Sequence, residues 1–516
     1  MVNKVNLDAL VQREDFSVRD EETPAQLTTT IQIRDLESES FFYGSIRKPD
    51  FQRETNEWSI EQVSQFVQSF VYGDLIPSII LWKSGNYVFV IDGSHRLSAL
   101  ISWVQDDYGD GFRSRQFYEH LLPADQISVA EKTRKLINSK IGSYKDHKTA
   151  IQQPDKAHPE LLRRAQNLGS LALQLQWVKG DANRAEASFF KINQQAAPIN
   201  KTELRLLQSR KKANALAARA IVRSGTGHKY WSVFQPDIQD EIEKVSREIY
   251  DALFNPQLET PIKTLDLPLA GKGYSSESLP IVFDFVNLVG QFIEKDPVEN
   301  DSDGQKTIKL LTDCRRVARR MSGLHPSSLG LHPAIYFYGP SGRYQPTAFF
   351  AMVRLIQALE NTQSGFSVFS KARPQFEKFL LSHKYLAGQI TYKLSSKLRG
   401  GPLRLFELYR QAINSINAGQ DESTFLEALL KDEKFSFLRV DETFASSENA
   451  KFSTETKSAV FLKAALDSLL LCEICKGAIH VNSISVDHII RKADGGLGVL
   501  ENAQLSHPYC NTTLKN

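Results

Sequence analysis

The sequence predicts an α+β multidomain chain, and three stretches of differing texture predict it. Strand and helix signals mix over residues 1–215, long helical apolar spacing dominates 216–450, and a short tail, 456–516, carries its cysteines and histidines in pairs. A chain of 516 residues accommodates two to four domains. The formal net charge of +3 does not by itself mark a nucleic-acid binder, so any basic surface has to be local. No apolar run approaches the length of a membrane span, and the polar start Met1-Val2-Asn3-Lys4 lacks the apolar core of a signal peptide. Only four cysteines occur, three of them in the tail, which points to a reducing, cytoplasmic setting, and the lack of an apolar span leads to the expectation of no membrane partner. No internal repeat is evident.

In the front region, Ser59 followed by Gln62 reads as a capping box, and Val63, Phe66, Val67 and Phe70 give helical spacing that Gly73-Asp74 ends. Ile79-Ile80-Leu81-Trp82 and Tyr87-Val88-Phe89-Val90-Ile91, joined by Ser84-Gly85-Asn86, read as a hairpin of buried strands. Asp92-Gly93 closes the second strand. Ser94-His95-Arg96 then opens a helix whose apolar face is Leu97, Leu100, Ile101 and Val104. A strand that ends at an acid and a glycine and feeds such a helix offers backbone N–H groups and a cation to an anion, with phosphate the natural guest. The alternative is a plain strand-to-helix turn with Arg96 at the surface or in a salt bridge. Leu171 to Val178 alternates as a strand, and a helix from about Asn183, carrying Phe189, Phe190 and Ile192, completes the α/β unit.

The middle region is expected to be helical. Leu310, Leu311, Cys314, Val317, Ala318 and Met321 share one helix face, while Lys306, Lys309, Arg316 and Arg320 line the opposite one. That stripe is either a solvated face or a contact for DNA phosphates, and the run Arg205, Arg210, Lys211 and Lys212 has the same two readings. Gly339-Pro340-Ser341-Gly342-Arg343 lacks the Lys-Ser/Thr of a phosphate-binding loop and is expected to be a turn. Lys295 to Asp303 reads as a loop and Asp441 to Thr456 as the linker into the tail.

The tail carries the chemistry. Cys472/Cys475 and His507/Cys510 are two ligand pairs, each separated by two residues, as a tetrahedral structural Zn²⁺ site requires. The remaining cysteine, Cys314, lies far away in a helical stretch, so His507 becomes the fourth ligand. A segment of about sixty residues has too little apolar volume to fold unaided, which makes a metal a reasonable staple. Between the pairs run Asp487-His488, Gly495-Gly496 and Asn502, and Asn511 follows the last cysteine.

These residues resemble the HNH (ββα-metal) endonucleases of the zinc-bearing, McrA-like type, with His488, Asn502 and Asn511 in the three signature slots. The resemblance implies DNA phosphodiester hydrolysis with His488 as general base. It implies Asp487 and Asn511 as oxygen ligands for a catalytic Mg²⁺ or Mn²⁺, and Asn502 orienting His488 through a hydrogen bond. The other reading is a zinc module that only binds DNA or holds a fold.

The front region also resembles a known family. Pro49-Asp50-Phe51-Gln52-Arg53, Ile76-Pro77, Asp92-Gly93-Ser94-His95-Arg96, and Phe190-Lys191-Ile192-Asn193 with Pro198 to Leu204 are similar to the motifs of the ParB-like NTPase/nuclease family, domain of unknown function 262. That family occurs in type IV modification-dependent restriction enzymes and phosphorothioate-sensing defence proteins. Where the family reads D-G-Q-Q-R, this chain reads Asp92-Gly93-Ser94-His95-Arg96. The resemblance implies a nucleotide or phosphate site formed by Gln52, Arg53, Asp92, Gly93, His95, Arg96 and Asn193, with GTP, CTP or ATP as the nucleotide.

Together the resemblances imply a bacterial anti-phage, modification-dependent restriction endonuclease, in three parts: a ParB-like domain over 1–215, a helical domain over 216–450 and an HNH domain over 456–516. A single HNH site implies nicking, with a homodimer or two events for a double-strand break. Modified or phage DNA is the implied substrate, and products of the same defence operon are candidate partners. A DNA-binding regulatory NTPase with a non-catalytic zinc module, and an infection-activated toxin that degrades host DNA, are the alternatives.

Overall fold

The structure, a computed structural model, describes residues 4–14, 16, 27–52, 58–120, 122–196, 205–206, 209–273, 278–292, 299–395, 397–439 and 452–515. The chain divides into two compact units: residues 1–210 with 226–233, and residues 211–225 with 234–516.

The first unit is built on a mixed six-stranded sheet. Its strands are β1 (Arg13–Glu14), β2 (Thr30–Gln32), β3 (Ile46–Pro49), β4 (Ile79–Ser84), β5 (Tyr87–Asp92) and β6 (Ala172–Trp177), in the order β1-β3-β5-β4-β6-β2. β4 and β5 form the antiparallel hairpin expected from their aromatic and β-branched residues, pairing Trp82 with Phe89 and Ser84 with Tyr87. Both faces of this hairpin are covered, which explains its near-continuous apolar run. Ile79, Leu81 and Val90 pack with Val63, Val67, Phe70, Leu97, Leu100 and Ile101 on one side. Trp82, Phe89 and Ile91 pack with Phe51, Ala185 and Phe189 on the other.

The helix Ile60–Tyr72 has the reciprocal cap its sequence announces: Gln62 N donates to Ser59 Oγ and Ser59 N to Gln62 Oε1. It stops at Gly73, whose φ of 78° suits glycine. One edge of the sheet carries a buried ionic cluster that the sequence did not suggest. Asp8 Oδ1 accepts from Lys48 Nζ at 2.7 Å and from Arg13 at 2.9 Å, and the Asp8 carbonyl takes a further bond from Lys48 at 2.8 Å.

The second unit holds both the helices and the tail. Its main helices are Ala213–Val222, Pro236–Phe254, Ser278–Val289, Gln305–Met321, Pro346–Glu360, Gly365–Ser382 and Gly401–Asn417. The face Leu310, Leu311, Cys314, Val317, Ala318 and Met321 is buried as its spacing required. The cationic stripe opposite it is largely consumed within the unit. Lys306 pairs with Glu299 at 2.7 Å, Arg316 bonds Asp313 and Glu360, and Arg320 donates to the Ser327 carbonyl while lying 4.2 Å over the Phe366 ring. Residues 339–343 form a turn closed by Gly342 N on the Gly339 carbonyl.

Much of the linker expected over Asp441 to Thr456 and part of the loop expected over Lys295 to Asp303 lie outside the described residues. The tail begins with the helix Thr454–Ala465, capped by Ser453 Oγ, and ends in the hairpin β7 (Ser485–His488) and β8 (Ala503–Ser506) with a helical turn, Cys510–Leu514. Among the described residues no helix is long and apolar enough to cross a membrane.

Candidate metal centre and active site

The tail is organised around its four metal-ligand residues. Cys472, Cys475, His507 and Cys510 are all buried, and their donor atoms lie within 4.8 Å of one another. The first pair sits on a tight turn: Lys476 N donates to the Cys472 carbonyl, Cys472 N to the Gly477 carbonyl, and Lys476 takes a φ of 56° to close it. The imidazole of His507 is fixed in one orientation. Its Nε2 bonds the Ala478 carbonyl at 3.0 Å, which turns Nδ1 towards Cys475 Sγ at 3.4 Å and Cys510 Sγ at 3.7 Å.

Burial lowers the His507 pKa, and Arg373 lowers it further, so the ring is held in the neutral form a metal needs. The three thiols share their protons: bonds from Cys475 and Cys510 hold Cys472 well below its ordinary range, while those two are pushed above theirs, and a divalent cation would be needed to make all three thiolates. Three soft thiolate sulfurs and one imidazole nitrogen fit Zn²⁺, and Cys314, buried in its own helix, takes no part.

Beside this centre stand the candidate catalytic residues. Asp487 on β7 is buried, and its Oδ2 accepts from Gln504 Nε2 at 2.7 Å and from Lys515 Nζ at 2.6 Å. Lys515 also donates to the His488 carbonyl. Asn511 Nδ2 donates to the Ser485 hydroxyl at 2.8 Å and to the Val486 carbonyl at 3.3 Å. Ser485 and Asp487 lie two apart on the strand and hence on one face, so the final helical turn brings Asn511 and Lys515 to the face that bears Asp487. His488 ends the strand half-buried, and its ring makes no hydrogen bond to any described residue.

Asn502 does something other than the expected orientation of the His488 ring. Its Oδ1 accepts from Ile490 N at 2.7 Å, and its Nδ2 donates to the carbonyls of Ile490 at 3.1 Å and Leu497 at 2.8 Å. Both amide hydrogens are therefore spent on the backbone that follows His488. Asn502 clamps the loop, and any effect on His488 passes through the main chain. Gly496 makes this possible, because a Cβ there would meet the Ile490 carbonyl oxygen at 1.8 Å.

In the first unit, Gln52, Asp92, Gly93, His95 and Arg96 gather at the end of β5. Gln52 is buried, and its Nε2 donates to the Val90 carbonyl at 2.9 Å, so its amide holds the strand end. Asp92 Oδ2 accepts from Arg96 NH2 at 2.5 Å, while Arg96 NH1 donates to the carbonyls of Pro77 and Ser78. Gly93 has a φ of 97°, and a Cβ there would meet Ile79 Cδ1 at 2.6 Å. The His95 ring stacks on Trp58 at 5.7 Å. Arg53 lies outside the described residues. Asn193 falls on the helix Ala182–Ala196, but its side chain too is outside them.

Several residues at these sites carried no motif. Lys515 and Gln504 were legible only once β7 and β8 were paired and the last helical turn was placed. Arg373 and Glu377 had a fainter signal, two opposite charges four apart in a helix whose neighbours Phe369, Phe376 and Phe379 are apolar.

Comparison with known proteins finds one family model in each unit. Residues 33–208 match the family model of the GmrSD restriction endonuclease, N-terminal domain, and residues 472–516 match that of the HNH endonuclease. No curated protein and no solved structure matches the chain. The two matches define the class: the protein is a DNA-cleaving enzyme of restriction type, serving defence. In it a GmrSD-like front segment is joined to an HNH nuclease tail whose Cys472, Cys475, His507 and Cys510 cluster suits zinc.

Proposed function

We propose that the tail hydrolyses DNA phosphodiester bonds one strand at a time, with His488 as the general base and Asp487 and Asn511 as ligands of a catalytic Mg²⁺ or Mn²⁺. What supports the reading is the pairing of two hard oxygen donors, Asp487 and Asn511, on the face of β7 covered by the final helical turn. A divalent cation held there supplies charge neutralisation at the phosphorane and the departing 3′ oxygen. His488, which ends β7 half-buried and with its ring uncommitted to described residues, takes the proton from the attacking water. Gln504 and Lys515 fix the buried Asp487 carboxylate through Oδ2, so Oδ1 is the oxygen that would ligate the cation.

The front segment, in this reading, is a ParB-like domain that binds GTP, CTP or ATP around Asp92, Gly93 and Arg96 and gates cleavage of modified or phage DNA in the bacterial cytoplasm. The helix Ser94–Val104 supports it, since no side chain caps its N-terminus at Gly93 and its first N–H groups suit an anion. Arg96 is paired with Asp92 and bonded to the Pro77 and Ser78 carbonyls, as the salt-bridged alternative expects, so a nucleotide would have to draw it away. A homodimer, or partners from the same defence operon, would convert nicks to double-strand breaks.

The test is a plasmid cleavage panel of unmodified, methylated, glucosylated and phosphorothioated DNA, with Mg²⁺ or Mn²⁺ and with each nucleotide in turn. Metal-dependent nicking on at least one substrate, lost in His488→Ala, is the expected result. A wild-type protein inert across the whole panel overturns the reading in favour of a regulatory DNA-binding module.

A further inference from the structure

A buried ion pair from outside the tail, Arg373 and Glu377, packs against the zinc-ligand cluster. Arg373 comes from the helix Gly365–Ser382, a hundred residues upstream in sequence, and is 1 % exposed. Its guanidinium donates to the carbonyls of Leu329 at 2.5 Å, Gly330 at 3.0 Å and Ala478 at 3.1 Å, and to Glu377 Oε1 at 2.7 Å. NH1 lies 3.4 Å from His507 Nδ1, the ring atom that faces the sulfurs. Glu377 is anchored in turn by the Tyr336 hydroxyl at 2.9 Å and by Ala478 N at 2.7 Å.

The peptide of Ala478 is thus gripped at both ends, and the same Ala478 carbonyl receives His507 Nε2. Two glycines make room for this approach. A Cβ on Gly477 would meet Arg373 Nε at 2.5 Å, and one on Gly330 would meet His507 Cδ2 at 2.7 Å.

A divalent ion with three thiolates and a neutral imidazole carries one net negative charge, and a buried charge is costly unless an opposite one is near. We propose that Arg373 is the buried counter-ion and outer-sphere positioning residue of the metal centre, so that the helical part of the second unit helps hold the nuclease's zinc. The inference takes the four-residue cluster to be a zinc site and is independent of the roles given to Asp487, His488 and Asn511. It assigns Arg373 two tasks. The guanidinium offsets the thiolate charge, and through Ala478 it sets the orientation of the His507 ring. Glu377 has the opposite electrostatic effect on the centre and serves to aim Arg373 and anchor Ala478.

The sign of that difference separates a counter-ion from ordinary packing. Full-length protein, first shown to carry zinc, is challenged with a chromophoric chelator, and the rate of zinc transfer is followed. Arg373→Met, close in length but uncharged, releases zinc about tenfold to a hundredfold faster, the range typical of lost outer-shell partners. Arg373→Lys, which keeps the charge, falls between it and wild type.

Glu377→Gln, which removes the competing carboxylate while keeping a polar group at Ala478, retains zinc at least as well as wild type. In cobalt-substituted protein, Arg373→Met moves the thiolate-to-cobalt charge-transfer bands to lower energy, a change that loss of packing alone would not cause. Wild-type release from Arg373→Met, release from Arg373→Lys as fast as from the Met variant, or release from Glu377→Gln as fast as from Arg373→Met would each overturn the proposal. If Arg373→Met fails to fold, the Lys and Gln variants still give opposite expectations. Failure of wild-type protein to carry zinc at all would instead remove the zinc site.

Discussion

Asn502→Ala tests how the loop after His488 is held. The substitution deletes three hydrogen bonds, from Ile490 N to Oδ1 and from Nδ2 to the carbonyls of Ile490 and Leu497. At about 1 kcal/mol net apiece they would contribute about 3 kcal/mol to closing the loop. Ile490 and Leu497 are 57 % and 71 % exposed, so water replaces part of what is lost, and about 1–2 kcal/mol is the better expectation.

Each 1.4 kcal/mol is a factor of ten in the open population, so the Ile490 amide should exchange with solvent roughly tenfold faster. The neighbouring amide is an internal control. Ile489 N bonds the main-chain carbonyl of Asn502, at 2.8 Å, and that bond survives the substitution. Hydrogen exchange read at single-residue resolution should therefore separate Ile490 from Ile489, and nicking should slow about tenfold as His488 loses its backing. Asn502→Asp should be no better than Ala, because a carboxylate still accepts from Ile490 N but faces two carbonyls it cannot donate to. Equal exchange at both amides, or a loop unchanged in Asn502→Ala, would refute the clamp.

His488→Ala should abolish metal-dependent nicking while leaving zinc content and the thermal transition as in wild type, as read by gel, metal analysis and calorimetry. Metal analysis should find about one tightly held zinc per chain, and stripping it should unfold helical segments together with the tail, seen as a loss of helical circular dichroism; a folded protein without zinc would remove the staple. Asp92→Ala should weaken the response of cleavage to GTP, CTP or ATP, and an unaltered nucleotide response would show that the Asp92–Arg96 pair only closes a turn.

The acid limb of stability supplies a fifth expectation. Burial pushes His332 down to about 3 and His480 down to about 4, and the two rings pack edge to face at 5.4 Å. Both folded values lie below the ordinary histidine value, so the unfolded chain binds the proton first. The contribution is complete above about pH 6.5 and drains away as pH falls, down to about 4 for His480 and about 3 for His332. His480→Gln should flatten that limb, by an amount on the order of 3 kcal/mol between pH 6.5 and 4, measured by denaturant titration at each pH.

Local signals carried much of the fold into the sequence. The cap of Ser59 and Gln62, the stop at Gly73, the hairpin of β4 and β5 and the buried face from Leu310 to Met321 all depend on residues within a few positions of each other, so their spacing could be read directly. The metal ligands were legible for the same reason, since each pair lies on one turn.

What the sequence hid depends on long-range contact. Arg373 is separated from His507 by 134 residues, Lys48 from Asp8 by 40 and Lys515 from Asp487 by 28, and nothing in a linear pattern ties such partners together. The basic stripe from Lys306 to Arg320 shows the same limit from the other side. Its spacing left a solvated face and a DNA contact open; Lys306 and Arg316 are half-exposed, and the partners Glu360 and Phe366 that engage Arg316 and Arg320 come from later in the chain.

The Asn502 reading failed for a subtler reason. The residue type and position implied a hydrogen bond near His488, but a side-chain amide has several geometrically equivalent uses, and the close approach allowed by Gly496 decides that its donors go to the loop backbone. The division matters for function, because the residues proposed for the chemistry, Asp487, His488 and Asn511, were named from a resemblance carried by a short motif, while Arg373, Glu377, Gln504 and Lys515, which bond to the metal-ligand cluster and to Asp487, emerge only from the folded chain. Arg373 and Glu377 join the nuclease tail to its helical scaffold at Ala478 and His507, beside further ties such as Gly323 N on Ser483 Oγ, Tyr509 N on the Ser328 carbonyl and Thr512 on the Pro326 carbonyl, so the tail is held by a distributed set of long-range contacts that no linear pattern announces.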